Sequence, residues 1–326
     1  MRSSVLVAFA IFVAGGCAGE QSALDPAGRG ASTIARLFWV MTIGSVAIWA
    51  GVVGLAVYAT YFSRGGLDVR QGRILVIGGG VLFPVAVLTV LLAFGLSMMP
   101  PLLAAAPPEA LRIEVIAHQW WWRVRYLQDG GAPVELANEI HLPTGRPVEF
   151  QLESRDVIHS FWIPSLGGKM DMIPGRRTRL LLEPTKAGAY RGVCAEYCGA
   201  SHAWMAFAVV VEDPADFGRW LERQASHAER PPDPTAERGA ELLLSSGCGA
   251  CHSVRGTPAD GVVGPDLTHV GSRRYLAAGA LVRDERALRK WIAQTHAVKP
   301  GAQMPAFSML PGDDLDALAA YLEGLD

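Results

Sequence analysis

Cysteine and charge are both scarce in this chain of 326 residues, and each scarcity excludes a class of protein. The five cysteines form two close pairs and one single residue, which disfavours a disulfide scaffold and favours metal or cofactor chemistry. Charged residues make up 18% of the chain and the net charge is −2, too little positive charge for a nucleic-acid binder. Half the residues are hydrophobic and the mean hydropathy is +0.23, too apolar for a purely soluble protein and too polar for a polytopic transporter.

Residues 1–17 have the layout of a bacterial export signal. Arg2 is followed by an apolar run over residues 5–13 and then by small residues directly before Cys17. This order suggests lipoprotein processing, in which Cys17 becomes the acylated first residue. An ordinary signal peptide with an incidental cysteine is the alternative, and both predict export.

Two long stretches, residues 37–63 and 74–108, contain no charged residue. Because about 20 helical residues span the hydrocarbon core of a bilayer, they predict a transmembrane hairpin over residues 34–108. The link between them carries Arg64, Arg70 and Arg73 against one acid, Asp68, which places it in the cytoplasm by the positive-inside tendency. Everything after residue 108 is then expected on the outer face.

The composition changes sharply after the second stretch, which predicts further domains. Residues 109–213 contain short β-rich runs separated by Pro and Gly, typical of a small all-β sandwich or barrel. Residues 214–234 predict a short amphipathic helix and a Pro-rich linker. Residues 235–326 carry apolar side chains at helical spacing and predict an all-α domain.

A first cluster of metal-binding residue types occupies residues 194–205, which read CAEYCGASHAWM. Thiolate and imidazole suit copper or zinc, and a thioether favours copper, because methionine is a poor zinc ligand. A second imidazole would have to come from elsewhere, and His159, expected at the end of a strand, is the candidate. A disulfide between Cys194 and Cys198, or a zinc site, are the alternatives.

This string resembles the binuclear copper-A loop, C-x-E-x-C-G-x-x-H-x-x-M, of cytochrome c oxidase subunit II, and the resemblance extends from the hairpin to about residue 213. It implies a cupredoxin-like Greek-key barrel over residues 109–213. It also implies that the Glu196 side chain reaches a magnesium ion shared with subunit I. The copper ligands it implies are His159, Cys194, the Glu196 backbone carbonyl, Cys198, His202 and Met205.

Three consecutive tryptophans open the β-rich region, within residues 118–122. The run resembles the aromatic patch through which subunit II accepts electrons, and that patch maps onto Trp120. For Trp122 we expect packing in the core rather than a functional role.

A second cluster, Cys248-Gly-Ala-Cys251-His252, is the c-type haem attachment string. In this string the two thiols hold the porphyrin covalently and His252 is the proximal iron ligand. The segment from about residue 235 to 326 resembles class I cytochromes c, which implies a methionine as the sixth ligand, and such a ligand raises the potential. Met304, in the Met-Pro-x-Phe pattern, fits the family, and Met309 is the competitor.

Two further histidines of the C-terminal region, His269 and His296, are conceivable iron ligands. We expect both to be solvated on the surface instead.

Together these resemblances imply subunit II of a caa3-type, proton-pumping cytochrome c oxidase in a bacterial inner membrane, with two spans and its copper and haem domains on the periplasmic face. One covalent haem c would pass electrons to copper A and on to haem in subunit I, where oxygen becomes water. The implied partners are subunit I, other oxidase subunits and an upstream donor, either a cytochrome c or a membrane complex. An alternative is a membrane-anchored copper and haem protein that serves another terminal reductase.

Three other classes fit the sequence less well. A quinol-oxidase subunit II would lack the copper ligands, nitrous oxide reductase would need a propeller that this chain cannot hold, and a copper chaperone or thiol sensor would leave the haem string unexplained. The chain also departs from many subunit II sequences, because no acid occurs between Asp68 and Glu109. The proton route is therefore not assigned to a residue of this chain.

Overall fold

The computed structural model describes residues 18–326 except positions 64, 103, 129 and 285. The predicted export signal and the acylation of Cys17 lie outside the described residues. The chain divides into two compact units, one of residues 32–105 and one formed by the preceding residues together with residues 106–326.

The unit of residues 32–105 is built on two long apolar helices. Helix α1 covers Arg29–Tyr61, and a second helical stretch covers Val69–Ser97; each is long and apolar enough to cross a membrane. The second stretch consists of α2 (Val69–Arg73), a π-helical segment (Ile74–Leu82) and α3 (Phe83–Ser97), and the short helix α4 (Met99–Leu102) follows. The two predicted spans are thus both helical.

The second unit begins with the segment before α1, which lies against the β domain. The Ala27 N–H donates to Ser165 O at 2.7 Å, and Gly28 forms a β-bridge with Pro184. A methyl group on Gly28 would collide with the Leu166 backbone, so the close approach requires glycine. The chain therefore leaves the β domain to form the two long helices and returns to the same domain afterwards.

The β domain is a sandwich of two five-stranded sheets, which confirms the cupredoxin-like expectation. In sequence order its strands β1 to β10 are Leu111–His118, Trp121–Tyr126, Val134–Ala137, Glu139–Pro143, Val148–Ser154, His159–Trp162, Lys169–Met172, Thr178–Leu182, Gly188–Cys194 and Ala206–Glu212. The first sheet has the order β3-β2-β1-β5-β8 and the second β4-β10-β9-β6-β7.

Buried and partly exposed side chains alternate along the strands, and the buried ones form the core of this domain. In β5 the residues Val148, Phe150 and Leu152 are fully buried while the residues between them are partly exposed. Trp122 is also fully buried and makes edge contacts with Phe161 and Phe207, which confirms its expected packing role.

Helix α5 (Pro214–Ala225) closes the β domain with a buried face that includes Phe217 and Trp220. After the linker, α6 (Pro234–Ser245) begins at Asp233, whose side chain accepts hydrogen bonds from two backbone N–H groups of the first turn. The remaining described elements of the all-α domain are the hairpin β11 (Tyr275–Leu276) and β12 (Leu281–Val282), α7 (Ala287–Ala293), α8 (Thr295–Val298) and α9 (Gly312–Glu323), with 3₁₀ turns at Cys248–Ala250, Val270–Ser272 and Ala277–Gly279.

Candidate metal and haem centres

Pairing between strands β6 and β9 brings the two halves of the sulfur and imidazole cluster together. His159 opens β6, so the expectation that it ends a strand is wrong: the turn at residues 155–158 separates it from β5, and the next strand begins at His159 itself. Cys194 ends β9, and the two strands pair antiparallel with Phe161 opposite Cys194. Cys198 follows in the loop, His202 begins a 3₁₀ turn (His202–Trp204), and Met205 precedes β10. The fold therefore gathers donors that lie up to 46 positions apart, since 205 − 159 is 46.

The donor atoms are close enough to share metal ions. The Cys194 and Cys198 sulfurs are 3.8 Å apart, each thiol is free, and a disulfide would need about 2.0 Å. Further distances are 3.7 Å from His159 Nδ1 to Cys194 Sγ, 3.5 Å from His202 Nδ1 to Cys198 Sγ, 3.7 Å from Cys198 Sγ to Met205 Sδ, and 3.2 Å from Cys194 Sγ to the Glu196 carbonyl oxygen.

The chemistry of this donor set fits copper. Both cysteines, His159 and Met205 are buried, and a thioether beside two thiolates is a soft environment that copper accepts and zinc rarely uses. The hydrogen bond with the Cys198 thiol lowers the pKa of Cys194, which favours the thiolate that a metal requires. The Glu196 side chain, the implied magnesium ligand, is exposed.

Asp156 is a residue of this site that sequence reasoning missed. Its Oδ1 lies 2.8 Å from His159 Nε2, which leaves Nδ1 directed at Cys194. Burial opposes a charge on His159, but the hydrogen bonds with Asp156 and Cys194 outweigh it and raise the pKa of the imidazole. Such a carboxylate orients a ligating histidine and increases its basicity. The only sequence signal was an acidic residue three positions before the histidine.

Trp120 contacts the loop of residues 194–205, which we call the copper-ligand loop because it carries most of the predicted copper ligands. Its Nε1–H donates to the Cys198 carbonyl oxygen at 3.0 Å, and the Gln119 side-chain amide donates to the same oxygen at 2.7 Å. The Trp120 side chain is buried against Gly301, where an added methyl group would lie 2.8 Å from the indole ring. Trp120 thus lies between the copper-ligand loop and the all-α domain.

A cavity of about 250 Å³ lies next to the predicted haem string. His252 lines it, and the His252 Nδ1 lies 2.8 Å from the Pro265 carbonyl oxygen, so a proton on Nδ1 leaves Nε2 for iron. Burial lowers the pKa of His252, which favours the neutral, ligating form. Gly264 fits closely under the ring, since a methyl group there would come within 2.6 Å of it. These features fit a haem held by Cys248, Cys251 and His252.

The two candidate methionines differ in position. Met304 lines the cavity, whereas Met309 is 73% exposed and is absent from its lining.

His296 is exposed, as expected, with its ring 3.1 Å from the Met304 carbonyl oxygen. The surface expectation for His269 is wrong: the residue is buried because its ring packs between the Asp326 and Ser226 carbonyl oxygens. Neither histidine lines the cavity.

The β domain supplies part of the cavity wall. Its contributing residues are Gln119, Trp120, Trp121 and Asn138. Trp120 and Trp121 therefore line the cavity, and the Trp120 indole N–H also donates to the Cys198 carbonyl oxygen.

Comparison with known proteins gives one match in the β domain and another in the all-α domain. The family model described as cytochrome c oxidase subunit II, periplasmic domain, matches residues 127–213, and the cytochrome c model matches residues 236–326. Cytochrome c oxidase subunit 2 of Alkalihalophilus pseudofirmus is 32% identical over 325 residues, which cover 95% of this chain and 93% of that protein. The corresponding Bacillus subtilis subunit is 31% identical over 229 residues, 67% of this chain and 63% of that protein.

Among solved structures, the periplasmic domain of cytochrome oxidase subunit II of Bradyrhizobium japonicum is 31% identical. The match covers 37% of this chain and 96% of that domain, with a TM-score of 0.35.

Proposed function

The chain belongs to the cytochrome c oxidase subunit 2 family, and we propose that its two clusters hold a binuclear copper A and one covalent haem c. As subunit II of a haem–copper oxidase with a fused cytochrome c domain, it is the part of the complex at which electrons are received. It is enzymatic only within that complex.

For copper, the proposed ligands are both thiolates, both imidazoles, the thioether and one carbonyl. The convergence of these donors within a few ångströms carries the proposal. When bound, copper A would supply one-electron acceptance and release. The Asp156 carboxylate orients the His159 ring. Six protein donors shared by two copper ions would leave no coordination position open for a substrate. The site then relays electrons and does not reduce oxygen. The six donors are His159, Cys194, Glu196 O, Cys198, His202 and Met205.

For haem, we propose covalent attachment through Cys248 and Cys251, with His252 and Met304 as axial ligands. The placement of Met304 on the cavity wall, against the exposure of Met309, supports this choice. When bound, the haem would supply a one-electron carrier whose potential the methionine raises.

Trp120 is the proposed residue of electron input to copper. Its indole lines the haem cavity and donates to the backbone of a copper-ligand cysteine, so it spans both centres. The donor to the haem is either a cytochrome c or a membrane complex.

Further parts of the proposal concern placement and partners. We assign residues 34–108 to the two-span membrane anchor, 109–213 to the copper domain, 214–234 to a helix and linker, and 235–326 to the haem domain. The anchor would hold both domains on the periplasmic face of a bacterial inner membrane. Because the segment before α1 packs on the β domain, an even number of spans agrees with this topology. The exposed Glu196 side chain is free to reach magnesium shared with subunit I.

The experiment that tests the metal assignment is to produce the full chain with haem maturation and copper. Metal content and electron paramagnetic resonance spectra would then be recorded for the chain and for the Cys194→Ala/Cys198→Ala variant. We expect two coppers and one iron per chain, a multi-line signal from one electron shared by two coppers, and loss of that signal alone in the variant. One copper with a mononuclear signal, or zinc, would overturn the binuclear assignment.

A further inference from the structure

Lys299 is a buried cation at the boundary between the haem domain and the copper domain. It directly follows α8 and is 3% exposed. Its Nζ donates to the carbonyl oxygens of Trp120 at 2.5 Å, Trp204 at 2.9 Å and Ala277 at 2.9 Å. Two of these acceptors belong to the copper domain and the third to the haem domain.

The three acceptors account for the whole hydrogen-bonding capacity of an ammonium group. Buried lysines are rare unless paired, and within the part of the chain that the structure describes no ion pair holds Lys299. Burial lowers the pKa of this amine to about 7, whereas three carbonyl acceptors favour the charged form, because only that form has three N–H bonds. A buried ammonium group whose hydrogen bonds join the two domains indicates a specific contact between them rather than general packing.

The residues next to Lys299 make the same joint. We call residues 299–301 the docking loop. The Pro300 carbonyl accepts a hydrogen bond from Ser201 Oγ at 2.7 Å, and Gly301, in a left-handed conformation with φ 81°, packs close to the Trp120 ring. The docking loop thus meets Trp120, Ser201 and Trp204, and the last two alternate with the proposed copper ligands.

Other hydrogen bonds also cross the domain boundary, but they involve different parts of the copper domain. Arg123 of the copper domain donates to the Val262 carbonyl at 2.6 Å, and Arg255 of the haem domain donates to the Glu135 carbonyl at 3.1 Å. The copper-domain members of these pairs, Arg123 and Glu135, lie outside the loop of residues 194–205. The Lys299 Nζ, by contrast, bonds to that loop, to Trp120 and to the haem domain at the same time.

We propose that Lys299 is a positioning residue that fixes the haem domain on the copper-ligand loop, so that electrons pass between the two centres in one preset arrangement. The proposal rests on the proposed function. Without this joint the other cross-boundary contacts, such as those of Arg123 and Arg255, would still hold the haem domain but would not fix it on the loop of residues 194–205. Each transfer would then wait for the contact with that loop to form again.

The test replaces Lys299 by methionine in the complete purified oxidase, with Lys290→Met as the matched control. Lys290 is an exposed lysine of α7 in the same domain, so the control removes an equal charge. The first measurement is hydrogen exchange by mass spectrometry of residues 198–205 and 297–304, compared at equal copper and iron content, because both segments contain proposed metal ligands. The second is the rate at which an electron injected by light into the haem domain reaches copper, measured at several solvent viscosities.

We expect about tenfold faster exchange of both segments in Lys299→Met, equivalent to about 1.4 kcal/mol of lost docking. We also expect an about tenfold slower transfer that becomes dependent on viscosity. Unchanged exchange, or a slower transfer explained by a shifted haem potential and independent of viscosity, would overturn the proposal.

A second variant, Gly301→Ala, keeps the test decisive should Lys299→Met lose its haem. The added methyl group presses on Trp120 from within the same joint. Selective loss of protection in the two segments supports the proposal, and equal loss throughout α6 and α9 contradicts it. Failure of the proposed function is seen separately, because the unmodified oxidase would then lack the copper or haem spectrum while its exchange pattern is still measured.

Discussion

At the scale of single residues, side chains outside the motif control how the metal ligands are presented. Asp156 illustrates this, because it receives a backbone N–H from Gln119 and one from Val157 while its carboxylate faces His159. The carboxylate is therefore held in place before any metal binds. Preorganisation of this kind fixes which ring nitrogen faces the site.

We predict that Asp156→Asn weakens copper binding about 10–100-fold, because the amide no longer supports the imidazole as a charged acceptor. Competition with a copper chelator measures the affinity. Asp213→Asn serves as control, since Asp213 is exposed and makes no side-chain cap to the helix that follows it. Equal affinities for the two variants would contradict the role given to Asp156.

A second prediction separates the two methionines. Met304→Ala should lower the haem potential and remove the absorption of methionine-bound iron, because the axial thioether favours the reduced state. Met309→Ala should leave both unchanged, since that side chain is 73% exposed. A redox titration of each variant decides between them, and a potential drop in Met309→Ala alone would reverse the assignment.

At the scale of elements, the haem domain depends on the crossing of α6 and α9. Gly239 lies where the two helices meet, and a methyl group there would collide with the Ala317 carbonyl and come within 2.7 Å of Tyr321 Cβ. A side chain at this position would push the helices apart. Buried Leu318 and Leu322 on α9 would then lose part of their packing.

We predict that Gly239→Ala destabilises the haem domain by about 1–3 kcal/mol, the usual cost of overpacking a close contact. Thermal melting followed by haem absorption measures the change. Gly218→Ala in α5 is the matched control, because nothing lies within 4 Å of its added methyl group and alanine favours the helix. If both variants melt alike, the helix contact is not tight.

At the scale of the whole molecule, the copper and haem domains have separate hydrophobic cores. One buried cluster contains Trp122 and Phe207 with the cysteines of the copper-ligand loop, and the other contains Leu243, Leu318 and their neighbours. Between the two cores, the domains contact each other through hydrogen bonds that include those of the docking loop and of Arg255. Ligand binding to one core should therefore stabilise mainly that core.

We predict that chelating copper destabilises the copper domain, by about 2.7 kcal/mol relative to free copper at a hundred times its Kd. The haem-domain transition should change less. Calorimetry of the full chain with and without chelator resolves the two transitions, and the Cys194→Ala/Cys198→Ala variant should not respond to chelator. Equal shifts of both transitions would instead indicate one cooperative unit.

Much of this protein was determined by local sequence. The two uncharged stretches, the alternating strands and the two cysteine strings predicted two long apolar helices, the β domain and the positions of the two candidate sites, because chain spacing sets helix length, strand face and the order of candidate ligands. The grouping of His159 with residues 194–205 was also predicted, first because the site needed a second imidazole and then through the resemblance to the copper-A loop.

Only the tertiary structure decided how these parts meet. His269 is buried by the C-terminus, Asp156 supports His159 across a turn, and the Lys299 ammonium bonds to carbonyls 179 and 95 positions away. The contacts of His269 and Lys299 follow no local pattern, since they depend on how distant parts of the chain approach one another, whereas Asp156 lies only three positions before His159 and is oriented by the intervening turn. From the sequence alone, a lysine followed by Pro and Gly is expected in an exposed loop, where water solvates its ammonium group. Here the packing of two domains removes its water and replaces it with backbone carbonyls.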